Sequence, residues 1–213
     1  MYDYIWGAKK KKGKKFTEEP ISVPDAPRAD YYREPAYLET VDNKIYFYAE
    51  IYRDKVLQLN RKIKELNNSL TRQRGQLSLK EQIPIYLHIN SFGGSVFSGF
   101  SAMDSVLNSS LPVITVVDGC CASAATFLSI VGRERYITRH SFMLIHQVSS
   151  FCWGKYDEFE DELENLKKFM TLIKEVYSKY TDMPEEKLDE ILKHDLWLNA
   201  EECLKYKLVD SII

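Results

Sequence analysis

The sequence predicts an α/β domain, because strand-like and helix-like stretches alternate along the chain and sharp turns follow the strands. The stretch "KIYFYAEI", which begins at Lys44, is rich in β-forming residues and alternates in polarity. The next stretch, "RDKVLQLNRKIKELNNS", repeats apolar side chains at helical spacing from Val56 to Leu66. A strand followed by an amphipathic helix is therefore the first predicted unit.

Two further units repeat this order. "IPIYLHIN" is followed by the glycine turn "SFGGS" and by the helical pattern "VFSGFSAMDSVLNSS". "PVITVVDG" is a β-branched run typical of a strand buried on both faces, and we expect it to end at Asp118 and Gly119 before the helix-compatible "CASAATFLSIVG". "RYITRHSFMLIHQ" supplies more strand material. Between the first two units we expect a polar loop from Leu70 to Gln82.

The last third of the chain contains one long helical pattern from Lys155 to Tyr180, which would span about 40 Å at 1.5 Å per residue. Its apolar stripe, from Tyr156 to Tyr177, fits a helix that covers the core along one half and contacts another subunit along the other. A simple surface helix is the alternative. After Pro184 a shorter helix is predicted, ending near His194.

Residues 1–40 are predicted to form an arm, and residues 41–213 the folded domain. The arm contains four of the seven prolines and shows almost no hydrophobic periodicity. It also contains the lysine run Lys9–Lys15, for which two roles remain open: a solvated flexible tail, or a segment that docks on an acidic partner.

The composition excludes several classes of protein. With 213 residues, 45% apolar and 28% charged, the chain has the composition of one globular domain. The formal net charge of −2 gives no global basic field, so we expect no nucleic-acid partner. No apolar run has the length of a signal peptide or a membrane span, so we expect no membrane association and a cytoplasmic protein. The four cysteines have no metal-ligand spacing and are expected to be reduced thiols.

Three potential nucleophiles lie within "GCCASAATF", namely Cys120, Cys121 and Ser123. Ser123 is flanked by alanines that leave room for a substrate backbone, at a strand-to-helix junction where free N–H groups are available. A serine near a helix start is, however, often a cap, and a buried cysteine often behaves as an inert apolar residue. The local sequence leaves the choice open.

Acyl transfer also requires a base, a group that orients the base, and donors for the oxyanion. His146 ends the strand pattern "SFMLIHQ", and Asp195 follows the predicted short helix. Gly93 and Gly94 follow a strand, where they form either a tight turn or a loop that presents backbone N–H groups to a ligand. None of these features is specific when taken alone.

Taken in order, four stretches resemble the proteolytic subunit of the Clp proteases (ClpP), from about Lys44 to Ile213. "IYLHINSFGGSVFSGFSAMDSV" is similar to that family's strand, S-P-G-G loop and helix, and "GCCASAA" aligns with its G-Q-A-A-S-M-G segment. "MLIHQ" resembles its M-I-H-Q, and "DLWLNAEECLKYKLVDSII" resembles its closing motif. The resemblance implies a ClpP/crotonase-like fold of repeated ββα units, with a protruding long handle helix within about residues 149–180.

The resemblance also implies a role for each site residue. Ser123 falls on the nucleophile and His146 on the general base. Asp195 falls on the carboxylate that holds the imidazole tautomer, and Gly94 and Ala124 on the positions whose N–H groups form the oxyanion hole. The chain departs from the family motifs nearby, with Phe92 in place of a proline and with Cys120 and Cys121 in place of Gln and Ala.

The implied function is that of an ATP-dependent serine endopeptidase subunit of the Clp type, without metal or cofactor. The implied assembly is a tetradecamer of two stacked heptameric rings, fed with unfolded polypeptides by an AAA+ unfoldase of the ClpX, ClpA or ClpC type. Two alternatives remain. One is a protease of the same fold related to signal-peptide peptidases or phage prohead proteases, which pairs serine with lysine. The other is a non-catalytic subunit of a mixed Clp ring.

Overall fold

The computed structural model describes residues 38–213. The lysine run Lys9–Lys15 and nearly all of the predicted arm lie outside the described residues. Leu38–Val41 forms the first strand and pairs with its neighbour, so the sheet begins before the domain boundary expected at residue 41.

Eight strands form one sheet within residues 38–213. The strands are β1 Leu38–Val41, β2 Lys44–Phe47, β3 Ile85–Ser91, β4 Val113–Ala122, β5 Glu134–Ile137, β6 Phe142–Leu144, β7 Trp197–Leu198 and β8 Ser211–Ile212. Their order is β1-β2-β3-β4-β5-β8, with β6 also paired to β4 and β7 paired to β6. The β1–β2 and β6–β7 pairs are antiparallel, and the other pairs are parallel.

Over the same residues 38–213, six helices alternate with these strands or follow them. The helices are α1 Arg53–Gln76, α2 Val96–Leu107, α3 Thr126–Ile130, α4 Tyr156–Tyr180, α5 Glu185–Ile191 and α6 Ala200–Lys205. The hydrophobic core lies where the first three helices meet the sheet, and Leu59, Ile89 and Phe127 are fully buried there. The predicted α/β class and the repeated strand-turn-helix order are confirmed.

Strand β4 continues beyond the end predicted at Asp118 and Gly119, so that prediction was wrong. Gly119 adopts φ +96°, a left-handed conformation that favours glycine, and the strand runs on to Ala122. The first half of β4 pairs with β5, and the residues after Gly119 pair with β6. The glycine therefore lies where the strand changes its neighbour on that side.

Helix α1 is longer than predicted. The loop expected from Leu70 to Gln82 begins only after Gln76, because Leu70 is buried and continues the apolar stripe of the helix. The arginines and glutamines that follow Leu70 are good helix formers. The polar composition predicted a loop that begins at Leu70, and this start was wrong. A solvated helix face has the same polar composition as a loop.

Helix α4 matches the predicted long helix closely and has two different halves. Its C-terminal half buries Ile173, Val176 and Tyr177. Its N-terminal half exposes large apolar side chains, with Tyr156 73% exposed and Leu163 53% exposed. Within the described chain, only the C-terminal half of this apolar stripe covers the core.

Candidate active site

The site lies at the carboxyl ends of three neighbouring strands. Strand β4 is hydrogen-bonded to β3 on one side and to β6 on the other. The glycine loop follows β3, Ser123 follows β4, and His146 follows β6. Because parallel strands end at the same edge of a sheet, residues distant in sequence come together there.

Ser123 lies on a sharp turn between β4 and α3. It begins the 3-10 turn Ser123–Ala125, has φ +59° and is 2% exposed. A non-glycine residue at positive φ is strained, and such residues cluster at functional sites. Ala124 is the second residue of the turn, and the first N–H groups of a helical turn have no partner within it.

The glycine loop packs directly against Ser123. A Cβ atom at Gly93 would lie 2.6 Å from the Ser123 Cβ and 2.9 Å from its Oγ, so only glycine fits. The backbone of Ile51 fixes the loop, since Ile51 N donates to Gly93 O at 2.7 Å and Ser95 N donates to Ile51 O at 2.9 Å. These contacts hold Gly94 at φ +150° beside the nucleophile position.

His146 and Asp195 are brought together by an antiparallel pairing. In the antiparallel β6–β7 register Leu144 lies opposite Trp197. His146 lies two residues after Leu144 and Asp195 two residues before Trp197, so the same register places these two residues opposite each other. His146 Nδ1 lies 2.9 Å from Asp195 Oδ1. Burial lowers the pKa of His146, and the carboxylate of Asp195 opposes this effect by raising it. The net lowering leaves the imidazole neutral near pH 7, the state that a general base requires.

Ser123 is not hydrogen-bonded to the His146–Asp195 pair. Among the described residues the buried Oγ of Ser123 has no hydrogen-bond partner, so it is not bonded to the imidazole. Catalytic hydrogen bonds are often long or unformed in structures without substrate. The structure thus joins His146 to Asp195. It places Ser123 in the turn after the adjacent strand, without a hydrogen bond to the imidazole.

The two neighbouring cysteines have surroundings that oppose catalysis by a thiolate. Burial raises the pKa of Cys121 well above its ordinary value, and burial also raises the pKa of Cys120. The Cys120 thiol donates to Asn90 Oδ1 at 3.3 Å. A thiol is nucleophilic only when deprotonated, so both cysteines are weak nucleophiles near neutral pH.

An apolar cavity of about 360 Å³ opens beside the glycine loop. Its lining residues are Phe92, Gly119, Cys120, Phe142 and Trp197. The rings of Phe92 and Trp197 meet edge to face with centroids 6.2 Å apart. Sequence reasoning noted Phe92 only as a departure from a family motif and did not anticipate the aromatic lining.

Sequence reasoning also missed a buried pair of side chains behind Ser123. Thr126 Oγ1 lies 2.6 Å from the Tyr177 hydroxyl, and it donates to Ser123 O at 2.6 Å. Thr126 looked like an ordinary helix residue and Tyr177 like part of an apolar stripe. Only the packing of α4 against α3 shows that they meet.

Comparison with known proteins places the chain in a family. The family model described as Clp protease matches residues 40–213. An ATP-dependent Clp protease proteolytic subunit of Triticum aestivum is 31% identical over 198 residues, covering 91% of this chain and 89% of that protein. The protein of the same name from Deinococcus radiodurans is 29% identical over 172 residues, covering 78% of this chain and 83% of that protein.

The fold agrees with this match. A solved ClpP1 mutant from Listeria monocytogenes superposes with a TM-score of 0.65 at 23% identity, covering 78% of this chain and 87% of that one. No helix between residues 38 and 213 is both long enough and apolar enough to cross a membrane. The predicted ClpP/crotonase-like fold is confirmed, and the chain belongs to the Clp protease family.

Proposed function

We propose that this chain is the serine endopeptidase subunit of a Clp-type protease, with Ser123, His146 and Asp195 as its catalytic triad. The observation that carries the proposal is the convergence at one sheet edge of a strained serine, a glycine loop and a hydrogen-bonded histidine–carboxylate pair. The family membership supports the same reaction, since the relatives are named proteolytic subunits.

In the proposed reaction His146 Nε2 removes the proton from Ser123 Oγ as the oxygen attacks the substrate carbonyl. The N–H groups of Gly94 and Ala124 stabilise the resulting oxyanion. His146 then gives the proton to the leaving amine, and water, activated by the same imidazole, hydrolyses the acyl-enzyme. Asp195 holds the proton on Nδ1 and stabilises the imidazolium. Attack requires the buried Ser123 hydroxyl to rotate toward His146.

We further propose a homo-oligomer of two stacked heptameric rings in the cytoplasm, supplied with unfolded polypeptides by an AAA+ unfoldase. The exposed apolar residues on α4 support an interface between subunits. The four free cysteines fit a reducing compartment.

Labelling with a fluorophosphonate probe, followed by peptide mapping, tests the nucleophile. We expect the label on Ser123 in the full-length protein and its loss in Ser123→Ala, with peptide hydrolysis falling on the order of a millionfold. Cys120→Ala is the matched control and should still be labelled. A labelled cysteine would contradict the assignment, and an unlabelled parent protein would favour the non-catalytic subunit.

His146→Ala separates the proposal from the protease alternative that pairs serine with lysine. The contact of His146 Nδ1 with Asp195 Oδ1 at 2.9 Å orients the imidazole as a base, which favours the histidine. We expect the variant to lose peptide hydrolysis while keeping its circular dichroism spectrum. Hydrolysis at the parent rate would support the lysine alternative instead.

A further inference from the structure

A buried chain of hydrogen bonds runs from the long helix to the proposed nucleophile. The Tyr177 hydroxyl of α4 lies 2.6 Å from Thr126 Oγ1, which in turn lies 2.6 Å from the backbone oxygen of Ser123. Tyr177 and Thr126 are fully buried. A buried hydroxyl without a partner is costly, so these two bonds fix the positions of both side chains.

The direction of these two hydrogen bonds follows from the number of protons that each hydroxyl carries. Thr126 Oγ1 carries one proton, which it donates to the carbonyl oxygen of Ser123. Its lone pair must therefore accept the proton of the Tyr177 hydroxyl. Burial raises the pKa of Tyr177, which keeps that hydroxyl protonated. The tyrosine is therefore the first donor in this series of hydrogen bonds, and the Ser123 carbonyl is the last acceptor.

The carbonyl at the end of this chain belongs to the planar peptide unit that also contains the N–H of Ala124. Any rotation of the carbonyl therefore rotates the N–H by the same angle. Hydrogen bonds in series also polarise one another, and a polarised amide is a stronger donor. The Thr126 N–H also donates to the Ser123 carbonyl within the turn, so the Thr126 hydroxyl is a second donor that holds the strained backbone of Ser123.

We propose that Tyr177 is a positioning residue for the oxyanion hole, acting through Thr126 to hold the Ser123–Ala124 peptide plane with its N–H directed at the substrate oxygen. This inference rests on the proposed function, which makes Ala124 an oxyanion donor. It assigns to α4 a role in the reaction as well as in packing.

The test uses variants that remove one hydroxyl each from the full-length protein. Tyr177→Phe and Thr126→Val keep the shape of the side chains, and Thr126→Ser keeps the hydroxyl of Thr126. Tyr180→Phe is the matched control, since it removes a hydroxyl one turn further along the same helix. For each variant kcat and KM are measured with a fluorogenic peptide, well below its melting temperature.

Loss of a complete oxyanion donor lowers kcat on the order of a hundred- to a thousandfold, so misorientation of one should lower it about tenfold. We expect this fall in Tyr177→Phe and Thr126→Val, with KM within about twofold of the parent, as holds when only the transition state is affected. Thr126→Ser and Tyr180→Phe should retain the parent kcat. The double variant Tyr177→Phe, Thr126→Val should have the same kcat as Thr126→Val, because both changes interrupt the same series of hydrogen bonds.

A purely structural hydrogen bond would lower the melting temperature and leave kcat unchanged, and that result would overturn the inference. Additive losses in the double variant would overturn it as well. In both cases an active parent with its label on Ser123 leaves the proposed function intact. A parent protein that hydrolyses no peptide and takes no label would overturn the proposed function and the inference together.

Discussion

Ser123 and its cysteine neighbours have similar side chains and differ mainly in their surroundings. Cys121 points into the apolar interior, where burial raises its pKa and keeps the thiol protonated. Ser123 lies in the turn after β4, against Gly93, and β4 is the neighbour of β6, the strand that ends before His146. A serine needs such a base, since its own hydroxyl is a weak nucleophile.

The pH dependence of hydrolysis should report the environment of His146. Burial lowers its pKa, and activity requires the neutral base, so activity is lost only as pH falls through that lowered value. We expect the acidic limb of kcat/KM to have an apparent pKa below the ordinary imidazole value of about 6.5. Initial rates across pH 4 to 9 measure it.

Asp195→Asn should change this profile in a defined direction. The carboxylate raises the pKa of His146, so its removal should move the acidic limb further toward acid while kcat falls on the order of 10,000-fold. Asp182→Asn removes an exposed carboxylate elsewhere and should leave both the profile and kcat unchanged. A limb that moves toward alkaline pH would show that Asp195 does not face the base.

The site residues differ in how far the sequence could predict them. Ser123, His146 and Asp195 lie in motifs that resemble those of a known family, so each could be named in advance. Thr126 and Tyr177 are 51 residues apart and carry no such motif. Their contact depends on how one helix crosses another, which is a property of the packed molecule.

At the scale of single elements, an ion pair reinforces the β5–β8 pairing that holds the C-terminal segment. Arg135 donates to Asp210 through Nε at 3.0 Å and through Nη2 at 2.6 Å. Its Nη1 also donates to the backbone oxygens of Tyr180 and Lys207. One guanidinium thus joins β5, the end of α4 and the segment leading to β8.

Asp210→Asn should destabilise the fold by about 2 kcal/mol at neutral pH, the usual size for hydrogen bonds to charged groups. The Arg135 guanidinium lowers the pKa of Asp210, so the native state favours the ionised carboxylate. This stabilisation is present above the unfolded pKa of about 3.9 and is lost as pH falls through the lower folded value. Urea unfolding of parent and variant at several pH values measures the difference.

The matched control for this pair is Asp161→Asn, which removes an exposed carboxylate from α4 and should change the free energy of unfolding little. The parent and Asp210→Asn should converge at acidic pH, where the carboxylate is protonated in both the folded and the unfolded parent. A constant difference at all pH values would instead indicate a packing effect.

The elements also show where patterns in sequence mislead. The polar residues from Leu70 onward indicated a loop, yet Leu70 is the last buried side chain of α1 and the helix continues to Gln76. At Gly119 the glycine suggested the end of a strand, whereas it lies where β4 changes partner. At Gly119 the pairing with β6 outweighed the local turn propensity, whereas after Leu70 the helix propensity of arginine and glutamine continued α1.

At the scale of the whole molecule, the N-terminal half of α4 carries an apolar face that no other part of residues 38–213 covers. Tyr156, Phe159 and Leu163 recur at helical spacing and are all exposed. The alternation of strands and helices was enough to predict the α/β class. The apolar stripe was enough to suggest that part of α4 does not pack on its own core.

Leu163→Glu should weaken assembly without unfolding the subunit, because the side chain is 53% exposed and makes part of the apolar half of α4. We expect sedimentation velocity to show smaller species than the parent at equal concentration, with an unchanged circular dichroism spectrum. Lys168→Glu places the same charge on another face of α4 and should assemble as the parent does. Full assembly of Leu163→Glu would mean that this face is not an interface.

The left-handed backbone of Ser123 has a consequence for how this chain can change over time. Glycine is the residue that occupies φ +59° without strain, so a chain selected for stability alone would replace this serine. Within residues 38–213 its buried hydroxyl has no hydrogen-bond partner, so it contributes no hydrogen bond there to offset the strain. Under the proposed function this strained serine is retained for catalysis, and copies of the chain that lose the activity should drift toward glycine here.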